Sequence, residues 1–507
     1  HSAGSATSQA YMKRWNRKSE LLAEGAERAS VAATWLGGLA YPYERLYNAW
    51  DLVLGSQMHD MLPGTSLPKA YEYCWNDYLI ALNQFADVEA RAVATVASKL
   101  DTRVADGATP LVIYNPLSID REDVVEATVA LPEGAKSVKV VDADGKAVPT
   151  QVLSTANGQA KIVFLAKVPS VGFAVYGVSA GDAQAASDEL KVSERSLENA
   201  YYRVTLNDAG DIASVFDKPA NRETLREPAR LAFVYHRPEE YPAWNMDWTD
   251  AQKPPRGYVE GPATFKVVED GPARVAIEVT RRSNGSTFVQ RIRLAAGPAG
   301  DRVDVVNTID WQTQEHALKA IFPLAAANPQ ADYDAQVGIV RRGNNDPKKY
   351  EVPQQQWIGL TDSSGDFGTA ILNDSKYASD KPDDHTLRLT LLYTPGVRSV
   401  YQDQSTQDIG RHEITYSIAP HAGDHNAGDV SWRARRLNQP LRPYATGAHP
   451  GALGKSFSLL RVDSTQVEVQ AIKQAEEGDG VVVRLKEMHG KATAKDVTIA
   501  AAVPIAS

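Results

Sequence analysis

Cysteine is nearly missing from this 507-residue chain: Cys74 is the one thiol, which excludes an internal disulfide framework and a cysteine-rich zinc site. Any metal must then be held by histidine and carboxylate. No apolar run approaches the roughly 18 to 20 residues of a membrane span. The formal charge of −9 and pI near 5.7 provide no basic field for phosphates, so neither nucleic acid nor a membrane is an expected partner. The zinc-peptidase helix, the phosphate-binding P-loop, the dinucleotide glycine turn and the serine-hydrolase nucleophile elbow are absent as well. The nucleotide-binding and serine-hydrolase readings therefore lack support.

What is present is a globular composition on a chain several times the usual domain size of roughly 100 to 200 residues. It opens His1-Ser2-Ala3-Gly4, with no initiator methionine and no signal pattern, and so reads as a processed chain or a fragment.

The period of the hydrophobic residues changes once. From Ser8 to Asp101 it is helical. Thr7 or Ser8 is placed to cap a first helix running to Trp35, Pro42 opens a second, and Leu67-Pro68 a third. Tyr71, Trp75, Tyr78, Leu82 and Phe85 mark the inner face of that third helix, and short loops favour an antiparallel bundle. From Pro110 onward the pattern alternates. Asp144-Gly145, Asn157-Gly158 and Asn284-Gly285 supply the positive φ of tight hairpins. An Ala/Ser/Asp stretch, Ala180 to Ser193, reads as a linker. The predicted fold class is mainly β with an N-terminal α-helical part: a three-helix bundle followed by antiparallel β-sandwich domains. Its expected divisions are 1–105 for the bundle, 106–195 for a small sandwich, 196–430 for a large one, and 431–507 for further, truncated sandwich strands.

The densest chemistry lies at the end of the second helix, in Gln57-Met58-His59-Asp60-Met61-Leu62-Pro63-Gly64-Thr65-Ser66. Neutral imidazole and carboxylate are ligands for a borderline cation such as zinc. On residue chemistry alone, a partly buried histidine beside a loop-capping aspartate is the better reading, and spacing does not settle it.

Tyr47-Asn48-Ala49-Trp50 followed by this ten-residue segment resembles the helix-end signature of glycoside hydrolase family 38, the retaining α-mannosidases. Thr7-Ser8-Gln9 with Lys13-Arg14 and Asn16-Arg17 is similar to the family's preceding helix. Leu197-Glu198-Asn199, Asp310-Trp311, Leu318-Lys319, Phe322-Pro323, Leu372-Asn373-Asp374, Gly410-Arg411-His412-Glu413 and Ala419-Pro420-His421 resemble its β-domains in order. The resemblance implies that His59 is a ligand of an active-site zinc and that Asp60 lies at the same metal and sugar site. It also implies that the other ligands, the nucleophile and the acid/base come from a preceding α/β barrel, in the same polypeptide or a separate chain. The two carboxyl groups of a retaining glycosidase, roughly 5 to 5.5 Å apart, are not assembled from this sequence, so the chain alone is expected to be inactive. The substrate implied is a terminal α-D-mannosyl residue of an oligosaccharide or small mannoside. The alternative from another class is a non-catalytic carbohydrate-binding or scaffold protein that keeps the sandwiches.

Tyr241, Trp244 and Asp247 lie in an aromatic-rich loop similar to a family segment and are second-tier candidates for substrate contact, against a packing corner as the plainer reading. His421-Ala422-Gly423-Asp424-His425 could clip a metal but reads better as structural. Asn284-Gly285-Ser286 and Asn373-Asp374-Ser375 fit the glycosylation pattern, and Arg341-Arg342 and Arg433 with Arg435-Arg436 read as solvated surface. A homo-oligomer is compatible with the sequence, and a soluble cytoplasmic or periplasmic setting is the expectation.

Overall fold

The computed structural model describes residues 2–131, 135, 137–182, 189–335 and 337–502. The chain is mostly β, with helices first and antiparallel sheets after them. Three helices open it, α1 (Ala10–Trp35), α2 (Tyr43–Ser56) and α3 (Pro68–Ala97). Pro68 occupies the first turn of α3, where its missing N–H costs nothing.

Two local expectations are corrected here. Neither Thr7 nor Ser8 caps α1: the cap position is Gln9, with a left-handed φ of 57° and no side-chain bond. The α1 terminus is instead capped from far along the chain, where Asp408 Oδ1 accepts the Ala10 N–H at 2.8 Å. A carboxylate suits this end because it meets both an orphan donor and the positive pole of the helix. On α3, Tyr71, Tyr78 and Phe85 are buried as expected, whereas Trp75 is 38% exposed. Cys74 and Ala81 take the inner positions expected of Trp75 and Leu82. The bundle core also holds Ala23, Ala26 and Ala49, and such small residues let helices approach closely.

The small sandwich places strand Thr109–Asn115 beside Gly172–Ala180 and Arg121–Ala130 beside Gln159–Val168. Asn157 and Gly158, at φ 51° and 72°, turn the hairpin between Thr150–Ala156 and Gln159–Val168. Its first sheet is completed from far downstream: Leu111 faces Ala445 and Phe173 faces Phe457. In the stretch read as a linker, residues 183–188 lie outside the described residues, and Lys191–Ser193 is a strand paired with Ser196–Glu198.

The large sandwich has a nine-stranded sheet and a six-stranded sheet. One hydrophobic cluster joins them, with Val275, Ile277, Val305 and Ile371 from the larger and Phe233, Leu318 and Leu389 from the smaller. Asn284 and Gly285, at φ 48° and 78°, turn the hairpin between Arg274–Ser283 and Ser286–Ala295. The long strand Gly410–Ala422 runs between Val303–Trp311 and Phe367–Asn373.

After a short helix, α4 (Trp248–Ala251), a longer one, α5 (Val430–Asn438), lies against the nine-stranded sheet. The arginines of α5 are not solvated as expected. Arg433 donates to the Pro420 carbonyl at 2.8 Å, Arg435 pairs with Glu468 at 2.8 Å, and Arg436 pairs with Asp301. Among the described residues no helix is long and apolar enough to cross a membrane.

Candidate functional site

Helix α2 ends at Ser56, and the chain turns through Gln57–Ser66 before α3. The His59 side chain is 82% exposed, with Nε2 3.3 Å from Asp60 Oδ2. Asp60 is itself tethered: Thr65 Oγ1 donates to its Oδ1 at 3.2 Å and the Thr65 N–H to its carbonyl at 3.2 Å. The Ser66 N–H donates to Tyr71 Oη at 2.6 Å, which ties the loop's end to α3. The imidazole and carboxylate therefore stand on a stiffly held turn and point the same way.

The turn is fixed to the start of α1. Lys13, 5% exposed, donates through Nζ to the carbonyls of Leu62 at 2.9 Å and Pro63 at 2.8 Å, and also to that of Ser8. Burial holds its ammonium down to about 7, opposed by nearby Asp408 and assisted by Lys376. Asp408, beside it, is pushed up to about 6 by burial. Both act as clamps on the loop and the helix end. In the sequence Lys13 stands out only as part of Lys13-Arg14 in the segment similar to the family's helix; no local signal marks it as buried, and none identifies Asp408 as a cap.

Tyr241, Trp244 and Asp247 lie together on a second loop. Tyr241 is 53% exposed, with φ 51° and its ring 5.8 Å from that of Tyr401. The Trp244 carbonyl accepts the Gly4 N–H at 2.9 Å, and Asp247 Oδ2 accepts the Glu239 N–H at 2.9 Å ahead of α4. The neighbouring Ala243 carbonyl accepts Ser8 Oγ at 2.6 Å. Both candidate loops thus meet near Ser8: its hydroxyl bonds the second, and its carbonyl accepts from the same Lys13 Nζ that holds the first.

The other candidates are accounted for locally. His421, 3% exposed, lies with Nδ1 3.1 Å from the Gly423 carbonyl, while His425 Nδ1 sits 2.9 Å from Asp332 Oδ2. They serve different partners. Asn373 is fully buried, and its side chain accepts the Lys376 N–H at 2.9 Å. Asn284 is exposed in its hairpin turn, so of the two sequons only that of Asn373 is closed to a glycan by burial. Among the described residues no group of three His, Cys, Asp or Glu side chains could hold a metal ion. His59 and Asp60 are an imidazole and a carboxylate of the kind zinc takes, but they fill only part of a four-ligand shell.

Residues 2–96 match the Alpha mannosidase middle domain, residues 197–404 the Glycosyl hydrolases family 38 C-terminal domain, and residues 466–507 the Glycosyl hydrolases family 38 C-terminal beta sandwich domain. The chain belongs to glycoside hydrolase family 38. Among its relatives, Alpha-mannosidase 2C1 of Mus musculus is 28% identical over 513 residues, covering 96% of this chain and 44% of the relative. Alpha-mannosidase G of Dictyostelium discoideum is 26% identical over 541 residues, covering 98% and 47%. A solved glycosyl hydrolase family 38 protein from Enterococcus faecalis superposes with a TM-score of 0.84 at 18% identity, covering 99% of this chain and 67% of that one. The chain spans less than half the length of these two curated relatives. The structural likeness establishes the fold.

Proposed function

We propose that this chain is the middle and C-terminal part of a zinc-dependent, retaining α-mannosidase that removes terminal α-D-mannosyl residues from oligosaccharides or small mannosides. The nucleophile and acid/base would stand on an α/β barrel from another segment of the polypeptide or a separate chain, so that the 507 residues alone do not turn over.

The observation that supports this reading is the His59 turn. An imidazole left 82% exposed, while its loop is fixed by buried Lys13, is an arrangement that packing alone does not require. His59 would offer a ring nitrogen to the metal, with Asp60 beside it positioned to accept a hydrogen bond from a sugar hydroxyl or to complete the metal's ligands. Lys13, Gly64 and Thr65 keep both groups in place. A zinc ion bound there would supply a Lewis acid for sugar hydroxyls.

The test is hydrolysis of an aryl α-mannoside, with zinc supplied, first by the 507-residue chain and then by a polypeptide that also carries the barrel. Turnover is expected only in the second, and His59→Ala should remove both bound zinc and rate. An His59→Ala enzyme with full zinc and full rate would sink the assignment.

A further inference from the structure

A cleft of about 600 Å³ opens between α1, α2 and the hairpin formed by strands Val467–Gln474 and Val481–Glu487. That is within the roughly 300 to 1,000 Å³ of small-ligand sites. We propose that it binds a neutral oligosaccharide; that the sugar is mannose-based rests on the function proposed above.

Two facing rows make the cleft. Tyr43, Tyr47 and Trp50 line it from α2 at spacings of four and three, which puts them on one helix face. Glu20, Glu24 and Glu27 line it from α1 at the same spacings. The rows are joined where Trp50 Nε1 donates to Glu27 Oε1 at 2.9 Å, which fixes the indole plane. Tyr43 Oη donates to the Ala475 carbonyl of the hairpin, tying the far wall in place. Tyr47 is 69% exposed, with its ring available. Aromatic rings opposite carboxylates suit a sugar, whose C–H faces pack on rings while its hydroxyls donate to anionic oxygens.

The charge balance argues for a neutral ligand. Much of the acid around the cleft is already paired: in the row, Arg17 lies 3.6 Å from Glu20 and Arg28 pairs with Glu24, and on the other wall Arg435 lies 2.8 Å from Glu468 and Lys473 3.2 Å from Glu476. Neither a free cation nor a free anion meets a field of one sign. A purely apolar ligand would cover ionised carboxylates with no hydroxyl to offer their remaining lone pairs. The cleft also leads toward the candidate site, because Gln57, two residues before His59, lines it and donates to Glu20 Oε1 at 3.2 Å.

The experiment is calorimetric titration of the 507-residue chain with linear mannotriose and with maltotriose. Mannotriose is expected to bind; Tyr47→Ala should weaken it roughly tenfold or more, and Tyr47→Phe, which keeps the ring, should restore it. Tyr47 is exposed, so its removal leaves the fold intact; Asp51 of α2 also lines the cleft, and Asp51→Asn is a second variant with a smaller expected loss. His59→Ala should leave this binding unchanged. No binding of either sugar, or binding indifferent to both Tyr47→Ala and Asp51→Asn, overturns the cleft. Binding lost with His59→Ala but not with Tyr47→Ala overturns the cleft and leaves the mannosidase reading standing. Maltotriose binding tightly with the same Tyr47 dependence while mannotriose does not would uphold the cleft and count against the mannose reading.

Discussion

The Ser8 carbonyl lies where a side chain at Gly64 would begin: a Cβ at position 64 would sit 2.3 Å from that oxygen, and Gly64 has φ 82°. Space and backbone conformation both demand glycine here. The Gly64 of the helix-end signature is therefore a contact between the His59 loop and the start of α1.

Gly64→Ala should cost roughly 2 to 4 kcal/mol, since strain at a left-handed position adds to a backbone clash. The loop must move off Ser8, so, if His59 is the ligand proposed above, metal affinity should fall together with stability. Urea unfolding and metal titration of the same variant check both. An unchanged midpoint would mean that the loop does not sit on Ser8.

Lys13→Met replaces a buried ammonium with an apolar chain of similar length and leaves the buried Ser8 carbonyl and the half-buried Leu62 and Pro63 carbonyls without this donor. Each stranded buried acceptor costs about 1 to 3 kcal/mol, partly offset because the ammonium no longer has to be held in a dry site. A net loss of about 2 kcal/mol is expected, with faster hydrogen exchange in the amides of Met61–Ser66. Exchange that speeds up only elsewhere would remove Lys13 from its role as the clamp.

His59→Ala, by contrast, should change folding stability by no more than about 0.5 kcal/mol, as exposed substitutions do. The side chain is 82% exposed, with Nε2 3.3 Å from Asp60 Oδ2. A thermal midpoint within error of the parent, together with loss of metal, separates a ligand from a structural histidine. A large drop in the midpoint would favour the structural role.

Acid should destabilise the fold between pH 6.5 and about 4. Burial, with Lys376 and Arg14 nearby, holds His412 down from 6.5 to about 4, and burial likewise depresses His236 and His421. Over that window the unfolded chain binds the protons and the native one does not. The stabilising difference is thus present above pH 6.5 and lost as pH falls, on the order of 3 kcal/mol for His412 once the pH is well below 4. Asp408 runs the other way: its carboxyl is raised from 3.8 to about 6, so the folded state gains as pH drops through that range. Thermal midpoints from pH 7 to 4 should fall overall, and less steeply for His412→Gln. Parallel slopes would exclude His412 as a contributor.

Asn199→Ala should cost about 2 to 4 kcal/mol. The side chain is fully buried and donates to the Ala295 and Gly300 carbonyls at 2.9 Å while accepting the N–H groups of Tyr201 at 2.9 Å and Tyr202 at 2.7 Å. A midpoint shift of this size in urea, with no other change, identifies Asn199 as a structural joint in a β-domain motif.

What was legible in the sequence was what chemistry decides locally. Pro68 opens α3, and Asn157-Gly158 and Asn284-Gly285 turn hairpins, because the backbone angles they require belong to those residues. The inner stripe of α3 was read one position off at Trp75 and Leu82, since periodicity finds a face but not how closely the partner helix approaches. The cap of α1 was out of reach: Asp408 lies 398 residues from Ala10. The arginines of α5 read as surface because Asp301 and Glu468, which neutralise them, come from other elements. His59 and Asp60 stood out by their motif, whereas the tethers that position them, from Lys13 and Ser8, depend on how α1 packs.

Strand Gly410–Ala422 lies between partners that precede it by about a hundred residues and by about fifty, with Val303 opposite Ile418 and Asn373 opposite Tyr416. The small sandwich likewise waits for Arg442–Ala445 to join Leu111–Tyr114. Neither sheet can close on a ribosome until Gly410–Ala422 and Arg442–Ala445 have emerged, and loop closures of this span make for slow, late folding. During synthesis the open edges beside Val303–Trp311 and Thr109–Asn115 are exposed to wrong pairing, so the yield of native protein should depend more on translation rate and chaperone supply than on the stability of the finished fold.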